Sequence, residues 1–567
     1  MSKSLIFSNK NNLSNKKKIF TDSWLLLNKK NISNYDVISH LKSNKIKIED
    51  FKYVKKIYSN CTKKLTIALN KFHQKNYRQK EWEILIFFFL SNYIFWAYER
   101  WKIIKNIKNK NKLLPVEVFS FSKNSFITQD SLEFHKLAKT NNWNDWLYSK
   151  IIEAQKIKLK KKKIRIKKNI KDDKKNLVFL KIINFFLPSN KDQYFLKNLF
   201  LPKILNIKLK LILKIKFRIF NNLKLNNIKK FSNERKIIGK IYSKDKFENF
   251  IYKTLPEIMP VSYLENFNLI ENNLKLLNWP INPKIIFTSY DHYHNDIFKI
   301  YAINKIRNKC KFYILQHGHQ GHNDLCATFY EKKISSKYFT WGNTSKNKSI
   351  VPLFCTSTLG INIKKKIKRD ILITYTDFFL KPWRSAAVPR SLDDINLHTK
   401  DILNLLTLLH EKKKYKISMK YYNGGQNYIT NKIKNRFNDI DLISTDLRKR
   451  GFSYSSKFKL CIETLNSTGF IELLSLNIPV ILITNRKFFQ VTKENKIYYD
   501  KLIESNIIFF NSKKAEQFIK LNIDCLDDWW LNKTTQKNIK FFCVNLCKYE
   551  KNFNRGLIQL ANKLSLN

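Results

Sequence analysis

The residues KFYILQHGHQGHN at positions 311–323 join a short apolar run to a loop rich in glycine and histidine. Earlier in the chain, FTSYDHYH at positions 287–294 repeats this pattern, because an apolar run again ends in polar and imidazole groups. In open α/β sheets, ligands bind at the carboxyl ends of the strands. The two stretches therefore predict two strands that deliver their loops to one cleft.

From about residue 260 onward, short apolar runs alternate with polar loops and helical spacing, which is typical of parallel sheets covered by helices. The predicted strands are residues 284–288, 311–315, 337–341, 370–375, 416–419, 459–462 and 479–484. A chain of 567 residues is too long for one hydrophobic core. We therefore predict an α/β fold with two facing Rossmann-like domains, residues 1–350 and 370–567, joined by a linker at 351–369.

The first predicted domain carries a helical, Lys-rich elaboration, with a basic insertion at about 150–245. Within it, LPKILNIKLKLILKIKFRIF at 201–220 alternates lysine with isoleucine and leucine. This pattern fits a strand with one wet face, and it also fits a helix whose lysines snorkel over a core or a membrane surface. A solvated helical insertion and an acceptor- or membrane-facing surface both remain open.

The most apolar segment, ILIFFFLSNYIFWAY at 84–98, is shorter than the ~20 apolar residues that span a bilayer. We expect a buried core helix there. The N-terminal residues MSKSLIF show no secretory signal, and the eight cysteines form no CxxC pair. These features predict reduced thiols and a cytoplasmic protein.

The formal net charge of +64 is typical of nucleic-acid-binding proteins. Lysine, asparagine and isoleucine, however, are in excess throughout the chain, which is the bias that an AT-rich genome imposes. No rhythm of aromatic residues between basic ones indicates base stacking. We therefore predict no dedicated nucleic-acid partner, although a basic cleft would attract anionic substrates.

The loop after residue 315 offers the first candidate site, which contains Gln316, His317, Gly318 and His319. His317 or His319 can act as a general base or donate to a phosphate oxygen, and glycine permits close approach of a ligand. A purely structural loop and a metal site are the alternatives. Together with His322 the histidines follow an i, i+2, i+5 spacing that matches no standard zinc site, so we predict no bound metal.

The second candidate site follows the preceding predicted strand and comprises Tyr290, Asp291 and His292. Asp291 or Asp296 could orient a histidine or accept the proton of an acceptor hydroxyl. The alternative is a helix start with Asn295 or Asp296 as its cap. Both roles are compatible, because a helix N-terminus at a cleft is also an anion site.

The third candidate site is the segment TLNSTGFIELLSLNIPVI at 464–481, which predicts a loop, a helix, a turn and a strand. Asn466, Ser467 and Thr468 supply capping oxygens, and the amides that follow point at whatever occupies the helix N-terminus. A nucleotide monophosphate or diphosphate suits that position. Glu472, one turn further, could reach ribose hydroxyls.

The same segment resembles the donor-domain motif of GT-B glycosyltransferases, and the chain as a whole resembles the LIC12162 family of surface-carbohydrate (O-antigen locus) transferases. The matching residues are Asn70, His73, Trp82, Glu99-Arg100-Trp101, Gln316-His317-Gly318, Tyr338-Phe339-Thr340-Trp341-Gly342, the 466–479 segment, Trp529-Trp530 and Gln536. The chain departs from the family's glycine-rich loop at His319 and Gln320.

This resemblance implies a metal-independent GT-B enzyme that moves a sugar from a nucleotide-activated donor to a cell-surface polysaccharide or glycoconjugate. No cofactor beyond the donor is expected, and a CMP-linked acidic sugar is one option. Arg384, after the 370–375 strand, could balance the leaving phosphate or form a surface salt bridge. The expected acceptor is a glycan or lipid-linked glycan, met at the cytoplasmic face of the inner membrane. A CDP-glycerol type polyol-phosphate transferase and a basic nucleic-acid-binding protein are the alternative functions.

Overall fold

The computed structural model describes residues 3–11, 18–22, 25, 36–37, 48–165, 190–216, 223, 233–318, 328–342, 347–363, 369–378, 392–410, 414–423, 427–444, 452–489 and 491–565. Within these residues the chain packs as two compact units. The first unit comprises Met1–Lys197 and Lys216–Phe312, and the second comprises Asn198–Ile215, Tyr313–Leu380 and Ala386–Asn567. The domain boundaries given above stay a prediction.

Strands occur in both units. Their bounds are β1 Ser4–Ile6, β2 Lys18–Phe20, β3 Asp36–Val37, β4 Val116–Phe121, β5 Leu159–Ile164, β6 Tyr194–Lys197, β7 Ile285–Thr288, β8 Lys311–Leu315, β9 Lys337–Thr340, β10 Ile350–Pro352, β11 Arg369–Asp377, β12 Ile417–Asn423, β13 Asp441–Ser444, β14 Phe458–Glu463, β15 Val480–Ile483 and β16 Ile508–Phe509.

The strands form one six-stranded sheet of order β13-β12-β11-β14-β15-β16 and one five-stranded sheet of order β10-β9-β8-β7-β6. The smaller sheets are β1-β2-β3 and β4-β5. The described pairings of the six-stranded sheet are parallel, as are those of β6 with β7 and of β9 with β8 and β10. Parallel strands need crossover connections, which are usually helices. The predicted α/β class with Rossmann-like parallel sheets is confirmed.

Helices supply those connections and make up most of the remaining residues that the structure describes. The first unit has Ile48–His73, Gln79–Lys110, Ser131–Leu137, Asn141–Ala154, Lys236–Gly239, Lys246–Thr254, Phe267–Asn273, Asp291–His294 and Asp296–Arg307. The second unit has Lys203–Ile212, Thr328–Ile334, Leu392–His410, Tyr428–Lys434, Phe452–Ser455, Thr468–Ser475, Lys493–Glu504, Ser512–Asn522, Leu526–Trp530, Lys533–Leu546 and Phe553–Ser565.

The core of the first unit is built around the helix Gln79–Lys110, whose side chains are buried on nearly all sides. It packs against the helices Ile48–His73, Asn141–Ala154, Lys246–Thr254 and Asp296–Arg307. A helix that is apolar all round is buried in a large core or spans a membrane. This packing confirms the predicted core helix. Among the described residues, no helix combines the length and the apolar composition that crossing a bilayer requires.

The core of the second unit is the six-stranded sheet. The residues 371–373 of β11, and all of β15, are buried. Strands buried on both faces read as continuous apolar runs, which is why these strands stand out in the sequence. The sheet brings the carboxyl ends of β11, β12 and β14 side by side, and the third candidate site follows β14 directly.

The predicted strands near 284–288, 311–315, 337–341, 370–375, 416–419, 459–462 and 479–484 are confirmed as β7, β8, β9, β11, β12, β14 and β15. The ambiguous 201–220 segment forms the helix Lys203–Ile212 in its described part. Part of the segment predicted as a linker packs within the second unit. Leu353, Phe354 and Cys355 are buried, and the Cys355 amide donates to the Lys548 carbonyl at 2.7 Å.

Candidate functional site

The helix Thr468–Ser475 begins at a capped N-terminus directly after β14. Ser467 is the N-cap residue, and its Oγ accepts a hydrogen bond from the Phe470 amide at 3.3 Å. The first N–H groups of a helix have no partner within the helix, and the helix dipole adds partial positive charge there. The predicted capping role of Ser467 is confirmed, and the helix start is suited to an anion.

A buried carboxyl group lies beneath this helix start. Glu463, the last residue of β14, is 4% exposed, and its Oε2 accepts a hydrogen bond from Ser467 Oγ at 3.1 Å. Thr374 of β11 is in register with both Glu463 and Lys420 of β12. Residues in register on parallel strands point to the same face. Lys420, Thr374 and Glu463 therefore form a polar row across three neighbouring strands, and all three side chains are buried.

The Glu463 carboxyl titrates near neutral pH. Burial raises its pKa, whereas the nearby Lys420 charge and the hydrogen bond from Ser467 lower it, and the outcome is a pKa of about 7. A group that titrates near the working pH can exist in both protonation states. Sequence reasoning missed Glu463 and Lys420. The available signal was the presence of charged residues in two strands that are mainly apolar, FKLCIE and ISMKYYN.

The loop of Gln316, His317 and Gly318 approaches the same helix start within the second unit. A Cβ added to Gly318 would lie 2.9 Å from Thr468 Oγ1. Only glycine fits at this distance without a shift of its neighbour. The structure thus brings together the first and third candidate sites at Gly318 and Thr468.

Gln316 holds this loop in place. Its Nε2 donates to the Gly318 carbonyl at 2.8 Å, and its Oε1 accepts from the Trp341 amide at 3.0 Å. The side chain is 4% exposed. Because both ends of its amide are engaged within the protein, Gln316 positions the loop and does not line an open cleft.

His317 keeps part of its surface exposed, and its ring stacks on Phe200 with the ring centroids 5.7 Å apart. It is the histidine of the loop that the structure describes. His319 and His322 lie outside the described residues, as does Arg384. The roles predicted for His319 and Arg384 stay predictions, and so does the expected absence of a metal.

Asn466 and Glu472 flank the helix start in different ways. Asn466 exchanges hydrogen bonds with the Tyr499 hydroxyl at 3.1 and 3.3 Å, so its amide serves mainly to fix the loop before the helix. Glu472 lies one turn into the helix and is partly exposed. Its charge raises the pKa of both Glu463 and Tyr422. Glu472 thus lies close to the polar row. Its predicted contact with ribose hydroxyls stays a prediction.

In the first unit, the second candidate site is more buried than predicted. His292 is fully buried, and its ring stacks on Phe87 at 6.1 Å, so it does not line an open cleft. Asp291 is 4% exposed, and its Oδ1 accepts from Asn295 Nδ2 at 2.6 Å. Tyr290 is 40% exposed.

The alternative of a helix start holds here. Asn295 caps the helix Asp296–Arg307, since its side chain accepts from the Phe298 amide at 3.0 Å. Asp296 is buried in an ion pair with Lys299 at 2.6 Å and accepts hydrogen bonds from Ser131 and Ser262. A buried ion pair needs such additional hydrogen bonds to offset desolvation. Asp296 is therefore occupied by the fold.

Several residues of the family-like motifs also hold the structure together. Asn70 Oδ1 accepts from Trp82 Nε1 at 2.8 Å, and the buried His73 shares a hydrogen bond with the Tyr263 carbonyl at 2.9 Å. Gln536 Nε2 donates to the Trp530 carbonyl at 2.6 Å. These side chains close turns and join helices, and their part in the motif is structural.

Each unit also contains a cavity. The cavity of the first unit measures about 640 Å³, and its basic lining residues are Lys123, Lys150, Lys161, Arg235, Lys236, Lys240 and Lys253. The cavity of the second unit measures about 430 Å³ and is lined by His398, Thr464, Thr484 and Asn485 among others. It borders the loops after β14 and β15. No group of three or more metal-ligating side chains is found within the described part of the chain.

Among solved structures, the chain is similar to a mutant form of S. aureus TarM in complex with fondaparinux, alpha-GlcNAc-glycerol and UDP, at 13% identity over 50% of this chain, with a TM-score of 0.31. The chain spans about half the length of that protein, 55%. It is also similar to MurG of Acinetobacter baumannii, at 10% identity over 79% of this chain and 100% of that one, with a TM-score of 0.31.

A third similar structure is the UDP-GlcNAc 2-epimerase of Neisseria meningitidis bound to UDP-GlcNAc, at 9% identity over 80% of this chain and 100% of that one, with a TM-score of 0.34. No curated protein matches the chain significantly.

A family match covers nearly the whole chain. The family model described as LIC12162 family transferase matches residues 5–560. This range includes the loop at Gln316, the helix Thr468–Ser475 and the C-terminal tryptophans. The resemblance seen in the ordered motifs is thereby confirmed, and so is the expectation of an enzyme that transfers a group. The chain belongs to the LIC12162 family of transferases.

Proposed function

We propose that this transferase moves a glycosyl group from a nucleotide-activated sugar to a cell-surface polysaccharide or glycoconjugate. The observation that carries the proposal is the meeting of Gly318 with Thr468 at the start of the helix Thr468–Ser475. The loop that carries the His317 imidazole therefore lies next to the N-terminus of this helix. This pairing would supply a base for the acceptor hydroxyl and an anion site for the donor phosphates, which both favour glycosyl transfer from a nucleotide-activated sugar.

The donor phosphates would lie at the first turn of the helix, close to Thr468. There the N–H groups donate to the phosphate oxygens, and the helix dipole stabilises the charge that grows as the nucleotide leaves. Lys420 adds a positive charge in the polar row below, and Arg384 stays a candidate for the same purpose. Glu472, one turn away, is placed to accept from ribose hydroxyls.

In the reaction, the acceptor hydroxyl attacks the anomeric carbon and a new carbon–oxygen bond forms. The bond from that carbon to the donor phosphate breaks, and the nucleotide leaves with the electron pair. The hydroxyl proton passes to a base, for which His317, His319 and Asp291 are the candidates. His317 has the best support, because its loop touches the helix start through Gly318.

Glu463 would act as a positioning residue. It holds the Ser467 hydroxyl at 3.1 Å, and Ser467 in turn orients the first turn of the helix. No metal and no cofactor beyond the donor is needed in this scheme, because helix dipole and basic side chains balance the phosphate. A CMP-linked donor and a lipid-linked glycan acceptor at the cytoplasmic face of the membrane remain part of the proposal.

The test is a donor screen with the full chain. Nucleotide sugars with CMP, UDP, GDP and dTDP are each incubated with the protein alongside CDP-glycerol, and release of the nucleotide is measured with and without a lipid-linked glycan. We expect one nucleotide sugar to be consumed and CDP-glycerol to be stable. Consumption of CDP-glycerol alone would instead assign a polyol-phosphate transferase, and no release from any donor would contradict the proposal.

A further inference from the structure

The segment 198–216 exposes an unusual amount of apolar surface. On the helix Lys203–Ile212, Ile204 is 68% exposed, Ile207 46% and Leu211 58%. Their spacing of i, i+3 and i+7 places them on one face of the helix. Phe200 and Ile212 are exposed as well. Single exposed apolar residues are ordinary, but a contiguous patch indicates an interaction site.

The opposite face of this helix is already packed. Leu205 and Leu209 are buried, and the helix packs against the helix Phe553–Ser565 within the second unit. Lys208 Nζ lies 4.2 Å from the centroid of the Phe553 ring. This packing fixes the rotation of the helix about its axis. The exposed apolar face is therefore a fixed feature of the fold.

The charged residues of the segment that carries the patch are all basic. Residues 198–216 contain five lysines, at 203, 208, 210, 214 and 216, and no aspartate or glutamate. An apolar face bordered by lysines is the pattern of helices that lie in the interface of a bilayer. Each lysine near an anionic leaflet raises the constant for partitioning of the protein onto that leaflet roughly fivefold.

We propose that the helix Lys203–Ile212 docks this protein onto an anionic lipid bilayer. Ile204, Ile207 and Leu211 enter the headgroup region, and the lysines face the lipid phosphates. The charge complementarity selects a bilayer over an apolar protein groove as the occupant. This proposal does not rest on glycosyl transfer, because docking needs no donor.

The docking helix is continuous with the candidate site. Phe200, which precedes it, has a φ of +53°, a conformation that is rare for a bulky residue, and its ring stacks on His317. Backbone held in such a conformation is maintained by its surroundings and is common at functional sites. Docking would therefore bring the Gln316–Gly318 loop to the bilayer surface.

The test uses the full chain and sedimentation with vesicles, without any nucleotide. One set of vesicles contains phosphatidylglycerol and phosphatidylcholine, and the other contains phosphatidylcholine alone. We expect binding to the anionic vesicles that weakens at high salt, and at least tenfold weaker binding to the neutral ones. The combined variant Ile204→Ser, Ile207→Ser and Leu211→Ser should lower the affinity for anionic vesicles at least tenfold.

The matched control is Ile497→Ser, Leu521→Ser and Leu531→Ser, which removes three exposed apolar side chains from elsewhere in the same unit. The control should bind vesicles like the unaltered protein, and both variants should keep its thermal midpoint. Equal losses in both variants, or no binding of the unaltered protein, would overturn the proposal. Loss of self-association in the first variant without any vesicle binding would assign the patch to a second copy of the chain.

Discussion

Gly318 and Thr468 are in such close contact that a Cβ on Gly318 would lie 2.9 Å from Thr468 Oγ1. The two residues are 150 positions apart in the sequence, and each belongs to a motif that indicated a functional loop on its own. Their contact joins an imidazole-bearing loop to a helix N-terminus.

Gly318→Ala should destabilise the protein by about 1–3 kcal/mol, because the new methyl group overpacks against Thr468. In a Thr468→Ala background the same change should cost less, since Oγ1 is gone. A double-mutant cycle by urea unfolding measures this coupling. Gly469→Ala is the control, because its Cβ would lie at an ordinary 3.4 Å from Glu463 Oε1. Equal costs of Gly318→Ala in both backgrounds would argue against the contact.

Ser467→Ala should lower the free energy of unfolding by about 1 kcal/mol, since the helix Thr468–Ser475 loses its cap. Thr492→Ala should have a similar effect, because Thr492 caps the helix Lys493–Glu504 in the same way, by accepting from the Asn495 amide at 3.3 Å. Urea unfolding of both variants checks this. A loss several times larger for Ser467→Ala would show that its bond to Glu463 matters more than its capping.

Glu463→Gln should stabilise the protein more at pH 8 than at pH 5. The pKa of Glu463 is raised from 4.5 to about 7, so the folded state binds the proton more tightly than the unfolded chain. Stability contributed by the protonated carboxyl is then lost as the pH rises from 4.5 to 7, by up to about 3 kcal/mol, and glutamine has no such loss. Urea unfolding of both proteins at the two pH values tests this. An unchanged difference between them would contradict the raised pKa.

Acid should unfold the protein through buried histidines. Burial lowers the pKa of His73 to about 4 and that of His398 to about 3, so the unfolded chain takes up protons first as the pH falls below 6.5. Stability should fall between pH 6.5 and 4, and His398→Phe should remove up to about 3 kcal/mol of that fall. The free energy of unfolding measured across this range tests the expectation. A parallel pH profile for the variant would speak against a neutral buried His398.

The parts of the fold that the sequence predicted are those determined by local patterns. The apolar runs that became β7, β8, β11, β14 and β15 are buried on both faces, and buried strands have a continuous apolar signature. The cap at Ser467 is likewise a local feature. Both were predictable because the responsible residues are close in the sequence.

The polar row was not predictable, because it depends on register. Lys420, Thr374 and Glu463 come together only through the pairing of β12, β11 and β14, which no local pattern determines. His292 and Gln316 show the reverse error. Polar residues in loops suggest a cleft, yet both of these side chains are buried. His292 packs against Phe87, and Gln316 forms hydrogen bonds with Gly318 and Trp341.

Titration calorimetry with CMP, CDP, UDP, GDP and dTDP tests the donor site most directly, with Thr492→Ala as a matched cap variant away from it. We predict that one nucleotide binds the unaltered protein and Thr492→Ala equally, and binds Ser467→Ala at least about tenfold more weakly, a loss of about 1.4 kcal/mol. Absence of binding by every nucleotide, or equal affinities in the two variants, would contradict a nucleotide site at the start of the helix Thr468–Ser475.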